Sequence, residues 1–523
     1  MSKLFKLVVS VILCCSFLCF SACKKKVDNN KVDDKNLKIM VLNRGYGVEW
    51  LNALAAAYEA KYPDKNVEIE EALITTSIST SLQGGKEKND TDLYFVVDNG
   101  QSAALVDSYA SKDGGFLDLT TLYNTTIPGE SVTFGDKMNT SIKNQFAIDN
   151  HYYTFPWASS SMGLFYNEAV LNNVLGQGNW SVPNTTDELF ALGDRYKVSQ
   201  PNKFLLYCSI LETVTQSLFL SWWAQYEGIE NYNRFWKGQY YNAIEDEVEG
   251  NSYKIFSQIG RLKAMQEMER LCRPSNGYAV ENASAADDTT YTLYQTRFFT
   301  PSENYALYPC GDWLYSESGS GDNNVKMMKT PIISSIVEKL EYREGEAYMS
   351  DAMLSQVIDA IDAGATSFAN VSEKDFNRIK EARTIVSSNA NLQLGFIPAY
   401  ANAAELAKDF LLFMASNEGI NVYKNNLTGG FSPFEYAYDT SKLNTFDKSV
   451  YNTIKGANFV QISAMHPLFY KAGVLSTRRS DVNMDVAFNV ASSSRFYLTA
   501  EQFYNYFIDQ YDSASWNTVL KKL

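Results

Sequence analysis

The stretch from Leu37 to Val97 most constrains what this chain can fold into. Leu37 to Leu42 is an almost unbroken apolar run and reads as a buried strand, followed by the turn Asn43-Arg44-Gly45-Tyr46-Gly47. From Glu49 to Lys61, Trp50, Leu54, Ala57 and Tyr58 fall on one face of a helix that Pro63 ends. Val67 to Ala72 alternates apolar with acidic residues, and Asp92 to Val97 is again apolar before Asp98-Asn99-Gly100. Strand, helix and strand at this spacing predict a parallel sheet of the α/β class and argue against an all-helical chain.

Beyond Ser209 the pattern turns helical and aromatic, with Trp222, Trp223, Tyr226, Phe235 and Trp236 close together. An amphipathic helix carries Ile255, Ile259, Leu262, Met265, Met268 and Cys272 on one face and ends at Pro274. Asn304 to Tyr308 reads as a strand leading into Gly311-Asp312-Trp313, and Val325 to Met328 as another. The segment 331–390 shows no clear strand and reads as a helical insertion. Leu392 to Ile397 is the next strand and Ala404 to Met414 the next helix, with Leu406, Phe410, Phe413 and Met414 apolar. The last hundred residues are mostly helical and aromatic, and no internal repeat is present.

The N-terminus carries Lys3 and Lys6, an apolar run from Leu7 to Phe20, then Ser21, Ala22, Cys23 and three lysines. That is an export signal, since a bilayer span needs about 20 apolar residues. Phe20-Ser21-Ala22-Cys23 resembles the lipobox of bacterial lipoproteins, with Phe20 where Leu is usual. The resemblance implies cleavage after residue 22 and acylation of Cys23, which ties the protein to the extracytoplasmic face of the cell membrane. Each buried methylene contributes about 0.8 kcal/mol, so two or three acyl chains hold where one does not. The alternative is a secreted protein cut at Ala22. Val27 to Asn36 is rich in Lys, Asp and Asn and reads, with Cys23, as a flexible tether over 23–36.

Without signal and tether, roughly 490 residues remain, enough for two or three lobes, and 14% aromatic residues fill a large core. The net charge of −14, with no basic cluster after Lys26, excludes nucleic acid as a partner. Cys208, Cys272 and Cys310 lack metal spacing and read as small buried hydrophobes, with at most one disulfide among them. Only His151 and His466 could serve a zinc site or a Ser/His/Asp triad. Gly84-Gly85-Lys86 lacks the spacing of a phosphate loop, and Gly45-x-Gly47 lacks a third glycine. No cofactor or metal is expected.

Several segments, taken in order, resemble the family 1 extracellular solute-binding proteins of bacterial ABC importers, the group that includes maltose and oligosaccharide receptors. They are Leu37 to Tyr62, Tyr153-Thr154-Phe155-Pro156-Trp157 running into Ser161 to Asn167, Gly311-Asp312-Trp313, and Gly395-Phe396-Ile397-Pro398 leading to Glu405 to Leu411. The resemblance covers most of the chain; 331–390 has no counterpart in it. It implies the two-lobed periplasmic-binding-protein fold of type II, with discontinuous lobes that close on ligand about a hinge and extra helical insertions. Lobe 1 is expected over 37–155 with 391–425, and lobe 2 over 156–330 with 426–523. The implied partners are a carbohydrate, the transmembrane subunits of an ABC permease and, through lipid, the membrane; a monomer is expected.

A sugar offers hydroxyls in all directions and weakly apolar ring faces, so a receptor needs aromatic platforms rimmed by short polar side chains. Tyr46, Trp157, Trp223 and Trp313 are the aromatic candidates, and Arg44, Asp98, Asn99, Ser159 and Asp312 the hydrogen-bonding ones. Each platform adds about 0.5 to 1.5 kcal/mol beyond area burial. Each candidate has a plainer reading beside this one. Trp157, Trp223 and Trp313 could be core, as buried Trp usually is. Gly45 and Gly47 could serve a tight turn only. Asp312 could cap a helix, and Arg44 could form a surface pair. A surface glycoside hydrolase is the competing function, because two carboxylates suffice for that chemistry. None of the 60 acidic residues is singled out as such a pair. A glycan-capture lipoprotein without transport role is the other alternative.

Overall fold

The computed structural model describes residues 32–72, 85, 89–97, 115–148, 150–201, 205–206, 212–279, 294–300, 305–318, 324–463, 466–474 and 484–523. The signal over 1–22, Cys23, most of the tether, Asp98, Asn99 and Cys208 lie outside the described residues. Asp33, Lys35 and Asn36, within the expected tether, take part in hydrogen bonds. Asp33 N–H donates to the Asn402 carbonyl at 3.0 Å, and the Asp33 carboxylate accepts from the Lys35 and Asn36 amides at 2.9 Å each.

Two five-stranded sheets organise the chain. Their strands are β1 (Asn36–Leu42), β2 (Asn66–Ala72), β3 (Leu93–Val97), β4 (Phe155–Pro156), β5 (Ser161–Asn167), β6 (Leu307–Gly311), β7 (Val325–Met328), β8 (Ile385–Ser388), β9 (Gln393–Phe396) and β10 (Asn458–Val460). The first sheet runs β2-β1-β3-β9-β4. β1 pairs in parallel with β2 and β3, as the opening pattern required, whereas β9 runs antiparallel between β3 and β4. β2 is the edge, and Glu68, Glu70 and Glu71 keep it from pairing further.

The second sheet runs β6-β5-β8-β10, with β7 also paired to β5. All seven residues of β5 are buried because both faces are covered. Phe165 faces a core shared with the first sheet, while Leu164 and Tyr166 enter a second core on the opposite side. β8 breaks the expectation of a strand-free 331–390. Ile385 and Val386 supply one residue to each core, and β8 is too short to declare itself in sequence. The rest of that segment holds a short antiparallel hairpin, Arg343–Glu344 with Ala347–Tyr348, which also departs from that expectation, and the helices Asp351–Asp362 and Glu373–Arg383.

The helices that position the site are α1 (Glu49–Lys61), α2 (Glu212–Glu227), α3 (Ile259–Cys272), α4 (Ala404–Ala415), α5 (Asn417–Asn425) and α6 (Thr445–Ile454). α1 buries Trp50, Leu51, Leu54, Ala55 and Tyr58 and stops at Tyr62, since the residue before Pro63 disfavours helix. α3 starts later than its apolar pattern did. Ile255 belongs to a preceding 3-10 turn, and Ile259, at the first position of α3, is 45% exposed. The predicted strand at 304–308 is shifted to Leu307–Gly311 and includes Pro309.

Candidate functional site

Among the described residues, three connections carry the chain between the sheets: Trp157–Ser160 from β4 to β5, Asn389–Leu392 from β8 to β9, and 397–457 from β9 to β10. Part of the third, 426–431 after α5, lies against the first. Ser159 donates from its amide and its hydroxyl to the Phe431 carbonyl at 2.8 and 3.1 Å. The Ser388 hydroxyl donates to the Ser159 carbonyl at 2.7 Å, and the Asn389 amide to that of Ser160 at 2.9 Å. Ser160 has φ 46°, a left-handed backbone that serine seldom takes, at the point where the chain changes sheet.

Beside these segments the loops after β1 and β6 meet. Gly45 and Gly47, at φ 59° and 68°, make the tight turn that presents Tyr46. The Tyr46 ring stands edge-on to Trp157 at 5.6 Å and to Trp313 at 6.0 Å. Its hydroxyl donates to Asp312 Oδ1. Asp312 Oδ2 accepts from the Ser161 hydroxyl at 2.6 Å and the Ser161 amide at 3.2 Å. Burial pushes the Asp312 carboxyl up to about 6, against the pull of the Ser161 and Tyr46 hydrogen bonds and the Lys424 charge. Burial, then the Asp312 charge, raises the Tyr46 hydroxyl well above the usual range.

Behind this pair lies a second polar contact. Lys424, on α5, pairs with Asp447, on α6, at 2.9 Å. Its ammonium also donates to the Leu427 and Gly430 carbonyls at 2.9 and 3.2 Å. Burial lowers the Lys424 pKa, and Asp447 opposes that shift. Between the two contacts passes Gly429, at φ 91°, where a Cβ would collide with the Asp312 carbonyl oxygen. Its amide donates to Asp447 Oδ1 at 2.6 Å.

The junction thus gathers Tyr46, Trp157, Ser159, Asp312 and Trp313, five of the candidates. Trp157 is 2% exposed, stacked on Trp50 at 4.9 Å, with its indole N–H donating to the Val96 carbonyl at 3.1 Å. In this arrangement it offers no free ring face. Trp313 is half-buried, its ring lying where a Gly311 Cβ would be. Arg44 is exposed at the same turn and forms no ion pair among the described residues. Trp223 is elsewhere, in the second core, with its N–H donating to Gln258 Oε1 at 2.9 Å.

Trp50, Ser161, Tyr423, Lys424 and Asp447 were not among the site candidates, although Trp50 and Ser161 lie in segments that carry the resemblance. His151 pairs with Asp118 at 2.7 Å on the surface, and His466 accepts from the Leu468 amide at 3.3 Å. Among the described residues no cluster of His, Cys, Asp and Glu could hold a metal ion.

The model of the bacterial extracellular solute-binding protein family matches residues 44–286. The search of curated proteins gave no match. Solved structures share the fold. A probable secreted solute-binding lipoprotein from Streptomyces coelicolor is 11% identical, over 94% of this chain and 100% of that one, with a TM-score of 0.54. A sugar transporter from Rhizobium etli, in an open conformation, is 16% identical over 91% and 98%, with a TM-score of 0.53. An ABC substrate-binding protein from Listeria monocytogenes, in complex with cycloalternan, is 12% identical over 94% and 100%, with a TM-score of 0.52. At such identities the likeness speaks for the two-lobed α/β fold.

Proposed function

We propose that the chain is an extracellular solute-binding protein that captures a carbohydrate, an oligosaccharide, for an ABC importer, a reading supported by the family model that matches 44–286. The observation that carries this reading is the convergence of Tyr46, Trp313 and Asp312 where the two sheets meet. Ligands of α/β folds sit at such junctions, outside the carboxyl ends of strands. Relatives of the same fold bind sugars, cycloalternan among them. Trp313 and Arg44 form the accessible part of the site in this reading, and Tyr46, Trp157, Ser159 and Asp312 support them from behind.

The first sheet supports lobe 1 over 37–155 with 391–425, and the second supports lobe 2 over 156–330 with 426–523. β8 ties 331–390 to lobe 2, leaving its two helices as an addition to that lobe. We assign Cys23 as the acylated anchor on the extracytoplasmic face, on the strength of the lipobox resemblance. No helix among the described residues is long and apolar enough to cross a membrane. The protein acts as a monomer and leaves its ligand unchanged.

Thermal-shift screening of the purified protein against a panel of oligosaccharides tests the reading. A binder at a hundredfold excess over Kd stabilises by about 2.7 kcal/mol. If no sugar in the panel shifts the melting curve, the carbohydrate assignment fails. Cleaved product after overnight incubation with the best hit would instead support the glycosidase reading.

A further inference from the structure

A half-buried carboxylate stands beside Tyr46 and Trp313. Glu317 lies on the short helix Leu314–Ser318, which follows β6 and Trp313. Its amide donates to the Trp313 carbonyl at 3.1 Å, so the two residues are one helical turn apart on the same side. Glu317 Oε1 lies 3.8 Å from where a Gly45 Cβ would be. Apart from the chain neighbours of Gly45, it is the only heavy atom among the described residues within 4 Å of that point. The turn Asn43–Gly47, from the first sheet, and this carboxylate, from the second, therefore face each other directly. The other oxygen is fixed from the interior. Glu317 Oε2 accepts from Gln295 Nε2 at 2.7 Å. Gln295 is 0% exposed, and its amide also donates to Cys310 Sγ of β6 at 3.7 Å. The Ser316 hydroxyl donates to the Thr428 carbonyl at 2.8 Å, which pins the helix to the 426–431 segment.

We propose that Glu317 is a ligand-contacting residue, whose Oε1 accepts hydrogen bonds from the hydroxyls of a sugar ring lying on Trp313, and that Gln295 is its positioning residue. The proposal rests on the carbohydrate-receptor reading and narrows the ligand class within it. An ionised carboxylate only accepts, and its hydrogen bonds are about twice as strong as those between neutral groups. Sugar hydroxyls supply the donors. Because Gln295 already holds one oxygen, little side-chain freedom is left to lose when the other binds. The same charge selects against acidic sugars. Glu49, whose carboxylate accepts from the Val48 amide at 3.1 Å, flanks the other end of the turn, and Arg44 is the one cation within it. A uronic acid placed here would meet two like charges with one to balance them, which penalises it against a neutral ring of the same shape. The class that fits is an oligosaccharide neutral at the ring that Trp313 carries, with free hydroxyls on its edge.

Titration calorimetry with malto-, cello-, xylo- and chito-oligosaccharides, and with oligogalacturonate as the acidic probe, tests this. Glu317→Gln keeps the size of the side chain and can still accept from Gln295. It should weaken binding of the best neutral sugar by roughly tenfold or more, the loss expected for one hydrogen bond to a charged group, and leave the melting temperature of the unliganded protein as in the wild type. Glu317→Asp, which withdraws the carboxylate by one methylene, should also weaken binding and serves if Glu317→Gln fails to fold. Gln295→Met should lower affinity in the wild-type background and change nothing further in the Glu317→Gln background, a coupling that a purely structural role does not produce. Unchanged affinity in the Glu317 variants would overturn the proposal and leave the receptor reading standing. Oligogalacturonate as the best ligand of the wild type would overturn the substrate class. No binding of any of these sugars by the wild type would overturn the receptor reading and the proposal together.

Discussion

Lys424 and Asp447 form a 2.9 Å ion pair with side chains only 4% and 8% exposed, and this pair fixes the course of the segment between α5 and α6. Removing one partner strands the other charge in the interior. Lys424→Ala is expected to lower unfolding free energy by about 3 to 5 kcal/mol, as broken buried pairs do. Replacing both partners by Lys424→Met and Asp447→Leu should recover much of the loss. Urea titration of the three proteins checks this, and additive losses in the double variant would contradict it.

Trp157 and Trp313 should respond differently to truncation. Trp157 is stacked on Trp50 and bonded to Val96, so Trp157→Ala leaves a cavity costing about 3 to 5 kcal/mol and lowers the melting temperature without any sugar. Trp313 is half-buried, so Trp313→Ala should cost less stability and instead weaken binding of the best sugar by roughly 2 kcal/mol. Calorimetry and binding titration on both variants decide the matter. Equal effects on the two measurements would remove Trp313 from the site.

Asp312 gives the stability curve a pH dependence of unusual sign for a carboxylate. Burial lifts its folded pKa to about 6, above the ordinary aspartate value of 3.8, so the folded state holds the proton more tightly than the unfolded chain. The stabilising contribution is therefore present at low pH and is lost as pH rises through about 6. Tyr46, Ser161, Tyr423 and Lys424, with Asp447 behind, are the groups that face it. Glu267, which burial pushes up to about 7, acts in the same sense but in every variant alike. The urea midpoint of Asp312→Asn should fall less between pH 5 and 7 than that of the wild type, a window of about two units around this carboxyl. Parallel curves would show that Asp312 does not titrate there.

Cys23→Ala should shift the protein from the membrane fraction to the soluble one, since two or three acyl chains are what the proposed anchor supplies. Fractionation of cells expressing both forms reads this directly. Retention of the variant in membranes would place the anchor elsewhere.

Much of the first sheet was legible because its signals are local. β1, α1 and β3 are long enough for apolar period and turn residues to declare them, and their observed bounds fall within a residue of those expected. β8 was not legible. Four residues, two of them serine, are strand only because β5 and β10 are on either side. Trp223 shows the same limit from the other direction. Its sequence neighbourhood is as aromatic as that of a binding site, but α2 turns it into the second core.

By itself, then, the sequence determined the α/β class, the opening parallel strands and the segments that carry the family likeness, since each depends on residues close along the chain. Only the tertiary structure decided that Tyr46 donates to Asp312, 266 residues away, and that Lys424 meets Asp447 across the next segment. Side chains so far apart in sequence leave no periodic trace of their pairing. Burial and the cost of an unsatisfied polar group select the partner once the chain has folded.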